Sequence, residues 1–291
     1  MSRRSIADCR WPDDPWRVDL HSPGFEAPDA AVKEDAKRAR MLCKRAKNLT
    51  GKRRSRMLGL ADLLDPKVTP ETPQKLASAR YMREQRIRIT GAVWQLVAED
   101  PTGKVARFDV IKPSWAFDRK ALKKQDGRRL REEFRADLNR AAKKVKPGGA
   151  AECTGFLFAV LHGEHETQAE LFQIHWHLVA TGDWVAVVDR LKGMKAYKPT
   201  DRVKRPIRKR KKLHDLAYAL TYLLKSYWPG KWCGKVSGQA SKRRRRKHGR
   251  IPEPQHSDVL MWLDRWDLED LCLLMKVSVG KEGLVVKTVH E

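Results

Sequence analysis

Acidic residues are scarce in this chain: 36 Asp and Glu stand against 62 Lys and Arg, a formal net charge of +26. A surplus of that size destabilises a compact state by self-repulsion unless a polyanion absorbs it. Nucleic acid is the polyanion expected, because each neutralised phosphate releases condensed counterions. Cysteine is scarce too. Cys9, Cys43, Cys153, Cys233 and Cys272 are odd in number and form no C-x-x-C pair. That argues against a zinc ribbon or disulfide framework and fits a reducing compartment. No apolar run reaches the length of about 18 residues that a membrane span needs. Met1 to Asp19 is charged and has no apolar signal core, so a cytoplasmic location is expected, beside the DNA if the host is bacterial. Neither an H-E-x-x-H zinc-peptidase motif nor a G-x-x-x-x-G-K-[ST] phosphate loop occurs, which leaves out a zincin and a fused helicase.

What is present falls into three stretches. Residues 1–80 form a basic N-terminal extension. Its segment from Ala30 to Met57 is helical in composition and rich in Lys and Arg, either a solvated helix or a phosphate-binding arm. Residues 81–228 alternate between strand and helix signals. Arg86 to Ala98 alternates and carries β-branched residues, which predicts a strand. After the turn signal of Glu99 to Gly103, Val105 to Ile111 predicts a returning strand stopped by Pro113. Asp118 to Lys144 predicts one long helix, Gly155 to His162 and Leu171 to Ala180 two strands, and Gly182 to Lys192 a further helix. Another strand is expected near Arg202 to Arg208, then a helix from Leu213 to Trp228. Residues 229–291 read as a basic linker and a short helix-and-strand tail. The sum is an α+β fold, a central antiparallel sheet with helices on one face.

Two constellations carry chemistry. The first is His175-Trp176-His177. Residues two apart on a strand share a face, so both imidazoles project side by side from an apolar strand, an arrangement suited to a divalent cation. His162 and Glu164, at the end of the neighbouring strand, are the candidates for a third ligand. A mixed imidazole and carboxylate set tolerates Mg²⁺ or Mn²⁺ and leaves positions open for a phosphate oxygen.

The second is the helix over 213–228. Its leucines form one stripe, while Tyr218 and Tyr222, four apart, fall on the opposite face with Lys225. A phenol with a pKa near 10 is a poor nucleophile, and Lys225 is expected to favour its phenolate. Arg202, Lys204, Arg205, Arg208, Lys209, Arg210, Lys211 and Lys212 precede this helix as a run suited to a DNA backbone.

Together the two constellations resemble the HUH endonucleases, which carry a His-hydrophobe-His strand followed by a helix with Y-x-x-x-Y. The resemblance spans about residues 86–228 and is closest to the two-tyrosine rolling-circle replication initiators (Rep proteins) of plasmids and phages. Phe108 to Pro113 looks like a degenerate form of that family's first motif. Thr221 stands where a Lys is common, and His162 where a Glu ligand is usual. The resemblance implies an HUH (ferredoxin-like) nuclease core and a metal-dependent tyrosine attack on single-stranded or extruded origin DNA. The products are a 5′-phosphotyrosine and a free 3′-hydroxyl. Tyr218 would attack first and Tyr222 would serve a second transfer, with a host helicase and polymerase as partners. A relaxase or two-tyrosine transposase would use the same chemistry. The reading from another class is a non-catalytic module with an RRM-like sheet, whose stacking aromatics would be Phe156, Phe158 and Phe172.

Overall fold

A computed structural model of the chain describes residues 25–210, 220–225, 227–233, 246–280 and 283–287. Seven helices and nine strands are described, seven of the strands in one sheet. Helices α1 (Pro28–Ala46), α2 (Gly51–Leu64) and α3 (Ala79–Ala98) come first. Strand β1 (Val105–Phe117), helices α4 (Arg119–Lys124) and α5 (Gly127–Ala142), and the hairpin of β2 (Leu157–Glu166) and β3 (Leu171–Thr181) follow. Then come α6 (Asp183–Arg190), β4 (Ile207–Arg210), β5 (Pro229–Cys233), β6 (Arg246–Arg250) and α7 (Gln255–Leu263). Strand β7 (Cys272–Met275) and the small pair β8 (Val277–Val279) and β9 (Leu284–Val286) close the described chain.

The sheet runs β4-β1-β3-β2-β5-β6, with β7 beside β2. It is mixed: β2 pairs parallel with β5 at His165 and Glu166, and the other pairings are antiparallel. The fold is therefore α+β, but the sheet is not wholly antiparallel. On one face Trp176 stacks on Phe134 of α5 with ring centroids 5.0 Å apart, and Trp184 of α6 is fully buried. A stacked pair of this kind adds about 0.5–1.5 kcal/mol beyond its buried area. On the other face, Met82 of α3 and Leu263 of α7 line a small cavity with Val160 and His162. Helices thus reach both faces rather than one.

Local expectations are corrected at four places. Arg86 to Ala98 is the second half of α3, not a strand. Ser78 caps that helix by accepting from the Tyr81 N–H, and Met82, Ile89, Val93 and Leu96 are buried at helical spacing. The tertiary contacts override the β-branched composition. Strand β1 does not stop at Pro113. It runs on to Phe117, with a register shift between Ile111 and Ala116, where a Pro is tolerated. The long helix over 118–144 is two helices, capped by Asp118 and Asp126. The break lets Gly127 lie against Leu271 and Trp266, where an added Cβ would come within 2.7 Å of Leu271. The helix expected over 213–228 is helical at Leu220 and Thr221 but ends there, and 211–219 lie outside the described residues. Pro229 opens β5 and disfavours helix at the residue before it.

The basic stretch near the N-terminus is anchored. Asp35 of α1 is buried and accepts from the Ser78 hydroxyl at 2.7 Å and from Arg80 Nε at 3.0 Å. Arg38 donates to the Ala77 carbonyl at 2.7 Å.

Candidate metal centre

Strand alternation and hairpin register bring three imidazoles together. His162 of β2 is the cross-strand partner of His175, and Val160 that of His177. The three ring centroids lie 4.7 to 5.2 Å apart, all three residues are buried, and each offers a nitrogen within 4.8 Å of the others.

The hydrogen bonds fix which nitrogens carry protons. His177 Nδ1 donates to Asp109 Oδ1 at 2.9 Å, and His175 Nδ1 donates to the Gln173 carbonyl at 3.2 Å. In the neutral rings this leaves a lone pair on each Nε2, and the two Nε2 atoms are 3.1 Å apart. Two lone pairs facing at that distance repel unless a cation lies between or beside them. His162 donates Nε2–H to the Tyr227 carbonyl at 3.1 Å, so its lone pair is on Nδ1, a buried atom with no partner. These three histidines are thus placed to bind a metal ion.

The surroundings keep the imidazoles neutral. Burial pushes His177 down to about 4 against the opposing Asp109 hydrogen bond. Burial also lowers His175 and takes His162 well below the ordinary imidazole value, helped in His162 by its two histidine neighbours. Burial works the other way on Asp109, but the His177 hydrogen bond and the Arg107 guanidinium, 2.9 Å away, hold its carboxyl far below the usual range. Asp109 and Arg107 of β1 are the residues that sequence reasoning missed. Their signal was present: Arg107-Phe108-Asp109 alternates, and Asp109 pairs in register with His177.

Glu164 shares the face of His162 but is engaged elsewhere, in an ion pair with Lys231 of β5. It pairs in register with Gln173, and His175 and Lys231 together hold its carboxyl below the ordinary value against burial.

Tyr222 is half-buried beside the cluster. Its ring lies edge-on to His177 with centroids 5.0 Å apart, beneath the Arg107 guanidinium at 4.4 Å and Lys225 Nζ at 3.5 Å from the ring centre. The expectation that its phenolate is favoured is reversed: burial and Asp109 raise the phenol. Lys225, in turn, is lowered by burial and by Arg86 and Arg107 to about 8. Tyr218 lies outside the described residues. Tyr197 is buried, and its hydroxyl donates to Asp137 at 2.7 Å.

The basic run divides by position. Arg208 pairs in register with Asp109, which puts it on the histidine face. Lys209 is on the other face, paired with Asp189 at 2.7 Å. Arg202 donates to the Pro113 carbonyl and to Gln173, both at 3.0 Å, and so ties strands together. Arg205 is exposed, as is Lys204, which pairs with Asp201. Arg210 lies in β4, and Lys211 and Lys212 fall outside the described residues. Phe156, Phe158 and Phe172 are fully buried, so they form no stacking platform of the RRM kind.

Fold and site together define an α+β protein with a buried three-histidine cluster able to hold a metal ion. No protein-family model matches the sequence, no curated protein is similar to it, and no solved structure matches its fold. Among the described residues no helix is long and apolar enough to cross a membrane.

Proposed function

We propose that this chain is a metal-dependent endonuclease and strand transferase that cuts single-stranded or extruded origin DNA with a tyrosine, in the manner of a rolling-circle initiator. The observation that carries the reading is the convergence of three buried imidazoles beside the ring of Tyr222. The donor set fits a first-row divalent ion. Mg²⁺ takes oxygen ligands and suits three imidazoles poorly, so of the pair Mg²⁺ and Mn²⁺ the latter is the better match. His175, His177 and His162 would hold it, and when bound it would withdraw charge from the oxygens of the scissile phosphate.

The remaining roles belong to the chain's own side chains. Asp109 fixes the tautomer of His177, and Arg107 fixes Asp109. Arg107 and Arg208 offer positive charge on the histidine face to the phosphate. Tyr222 is the nucleophile on this reading, because it is the described tyrosine in contact with a cluster histidine. Its oxygen bonds to phosphorus as the bond from phosphorus to the 3′ oxygen breaks. The phenol proton leaves to solvent as the bond forms and the departing 3′ oxygen takes one up from solvent, while Lys225 Nζ, 3.5 Å from the ring centre, offers positive charge to the developing phenolate. The product is a 5′-phosphotyrosine, with a 3′-hydroxyl that can prime a polymerase behind a host helicase. Tyr218 is assigned the second transfer. Relaxases and two-tyrosine transposases share this chemistry.

A labelled single-stranded oligonucleotide tests the reading. Wild-type protein with Mn²⁺ should form an adduct that survives denaturation, and chelator should abolish it. Tyr222→Phe should lose the adduct, and Tyr218→Phe should keep first cleavage while losing strand transfer. The reverse pattern would exchange the two roles. Adduct in the double variant would remove both tyrosines from the chemistry and turn attention to Tyr227, whose side chain is exposed.

A further inference from the structure

A second cationic site lies away from the histidines. Lys52, Arg53 and Arg56 of α2, Lys123 of α4 and Arg265 just beyond α7 line a pocket of about 310 Å³ whose only acidic lining residue is Asp258. The Asp258 side chain is 1% exposed and is approached by Arg53 at 3.5 Å, Lys123 at 3.2 Å and Arg119. One carboxylate therefore holds three cations in place, which leaves a fixed positive excess. Arg56 turns instead to Asp264, at 3.2 Å, which it shares with Lys75. Nearby Arg45 has a buried Nε with no hydrogen-bond partner. Burial lowers Arg45 and Lys123, and in both the neighbouring Arg53 and Arg119 add to that direction. The cluster is thus crowded with like charge that an anion would relieve. Arg53 and Arg56 are exposed enough to meet one, each side chain being 51% exposed.

We propose that this pocket binds the phosphate backbone of the nucleic acid, with Arg53 and Arg56 each meeting one phosphate, at a site separate from the histidine centre. The separation is visible in the rings between them. Trp262, in the pocket lining, lies 5.4 Å from Trp228, and Trp228 lies 6.3 Å from His162. Packed indoles stand between the two sites, so a strand reaches both only by passing around them. A DNA strand is the occupant that the whole chain favours, since its net charge of +26 calls for a polyanion rather than a single small anion. The assignment rests on the reading that the chain binds nucleic acid, and not on its cutting it.

The test is binding of fluorescent single-stranded oligonucleotides, one short and one several times longer, over a range of salt. Arg53→Gln with Arg56→Gln is compared with Lys143→Gln and Lys144→Gln, exposed lysines at the end of α5 that remove the same charge. Loss of two phosphate contacts should reduce the slope of log K against log salt by about 1.4 on the long strand. The short strand should show no change in slope, and the lysine control should change neither. If losing Arg53 disturbs Asp258, Arg56→Gln alone leaves that carboxylate's partners intact and should reduce the slope by about 0.7. Equal effects of the two pairs would reduce the site to net charge, and an unchanged slope would remove it. Equal effects on short and long strands would place it within the histidine site. A protein that forms no adduct with any DNA, yet shows the slope change, loses the cutting reaction and keeps this site. Inorganic phosphate displacing the short strand as readily as the long would also count against it.

Discussion

Asp109 does two things at once at the scale of single residues: it accepts the Nδ1 proton of His177 and it is held by Arg107. Asp109→Asn keeps the shape but presents an amide that can donate, so His177 loses the constraint that leaves its Nε2 lone pair free. Partners of this kind, one step removed from a metal, are typically worth about 10–100-fold in metal affinity or activity. Isothermal titration with Mn²⁺ should show a loss in that range for Asp109→Asn, and an unchanged affinity would mean that the Asp109 bond does not set the tautomer. Gly163 makes the second case. It follows His162, and a Cβ there would lie 2.4 Å from the indole of Trp228. Gly163→Ala must displace Trp228 and with it the neighbouring Tyr227 carbonyl that holds His162. The expected outcome is weaker metal binding together with a loss of about 1–3 kcal/mol in stability, the usual cost of overpacking, read from urea unfolding. Normal metal binding in that variant would show that the Tyr227 peptide is not needed to orient His162.

At the scale of elements, the hairpin of β2 and β3 was legible because a strand declares itself with a period of two, and that same period places His175 with His177 and His162 with Glu164. Register did the rest, setting His162 against His175, which no count along the sequence can supply. Helix α3 reads as a strand locally because of Ile87, Ile89, Thr90 and Val93, whereas the helix is held by its contacts with α1 and with β9 of the small strand pair. The partners Arg107 and Asp109 were hidden for a related reason. They sit on a strand that reads as structural until its neighbour is known. Tyr227 escaped because it contributes a backbone carbonyl, which carries no sequence signature. Helix α7 shows how an element far along the chain is tied back to the start: His256 is buried beside Arg38 and Arg250, with Glu253 3.5 Å away. Burial lowers the His256 imidazole in the folded state below its unfolded value near 6.5. Between those two values the unfolded chain binds the extra proton, so stability falls as pH drops below about 6.5, by up to about 1.4 kcal/mol per pH unit for this group. His256→Gln should flatten that part of the pH dependence in denaturant midpoints measured from pH 7.5 to 5.5; equal slopes in both proteins would show that His256 is not the group responsible.

Over the whole molecule, the chain distributes its labour by distance from the sheet's centre. The histidines lie on the two central strands β2 and β3, and Asp109, the partner of His177, lies one strand out on β1. Residues beyond 228 supply three strands of the sheet, β5, β6 and β7, so the late part of the sequence completes the scaffold around the early part. The link from His162 to the Tyr227 carbonyl spans 65 positions in sequence and joins the cluster to the stretch that carries Tyr222. The Tyr227 carbonyl is the acceptor that orients the His162 ring, so the third imidazole is tied to that stretch of chain. The donor set is thus assembled by the fold and not by one segment, and a change far along the chain that displaces the Tyr227 peptide is expected to be felt at His162.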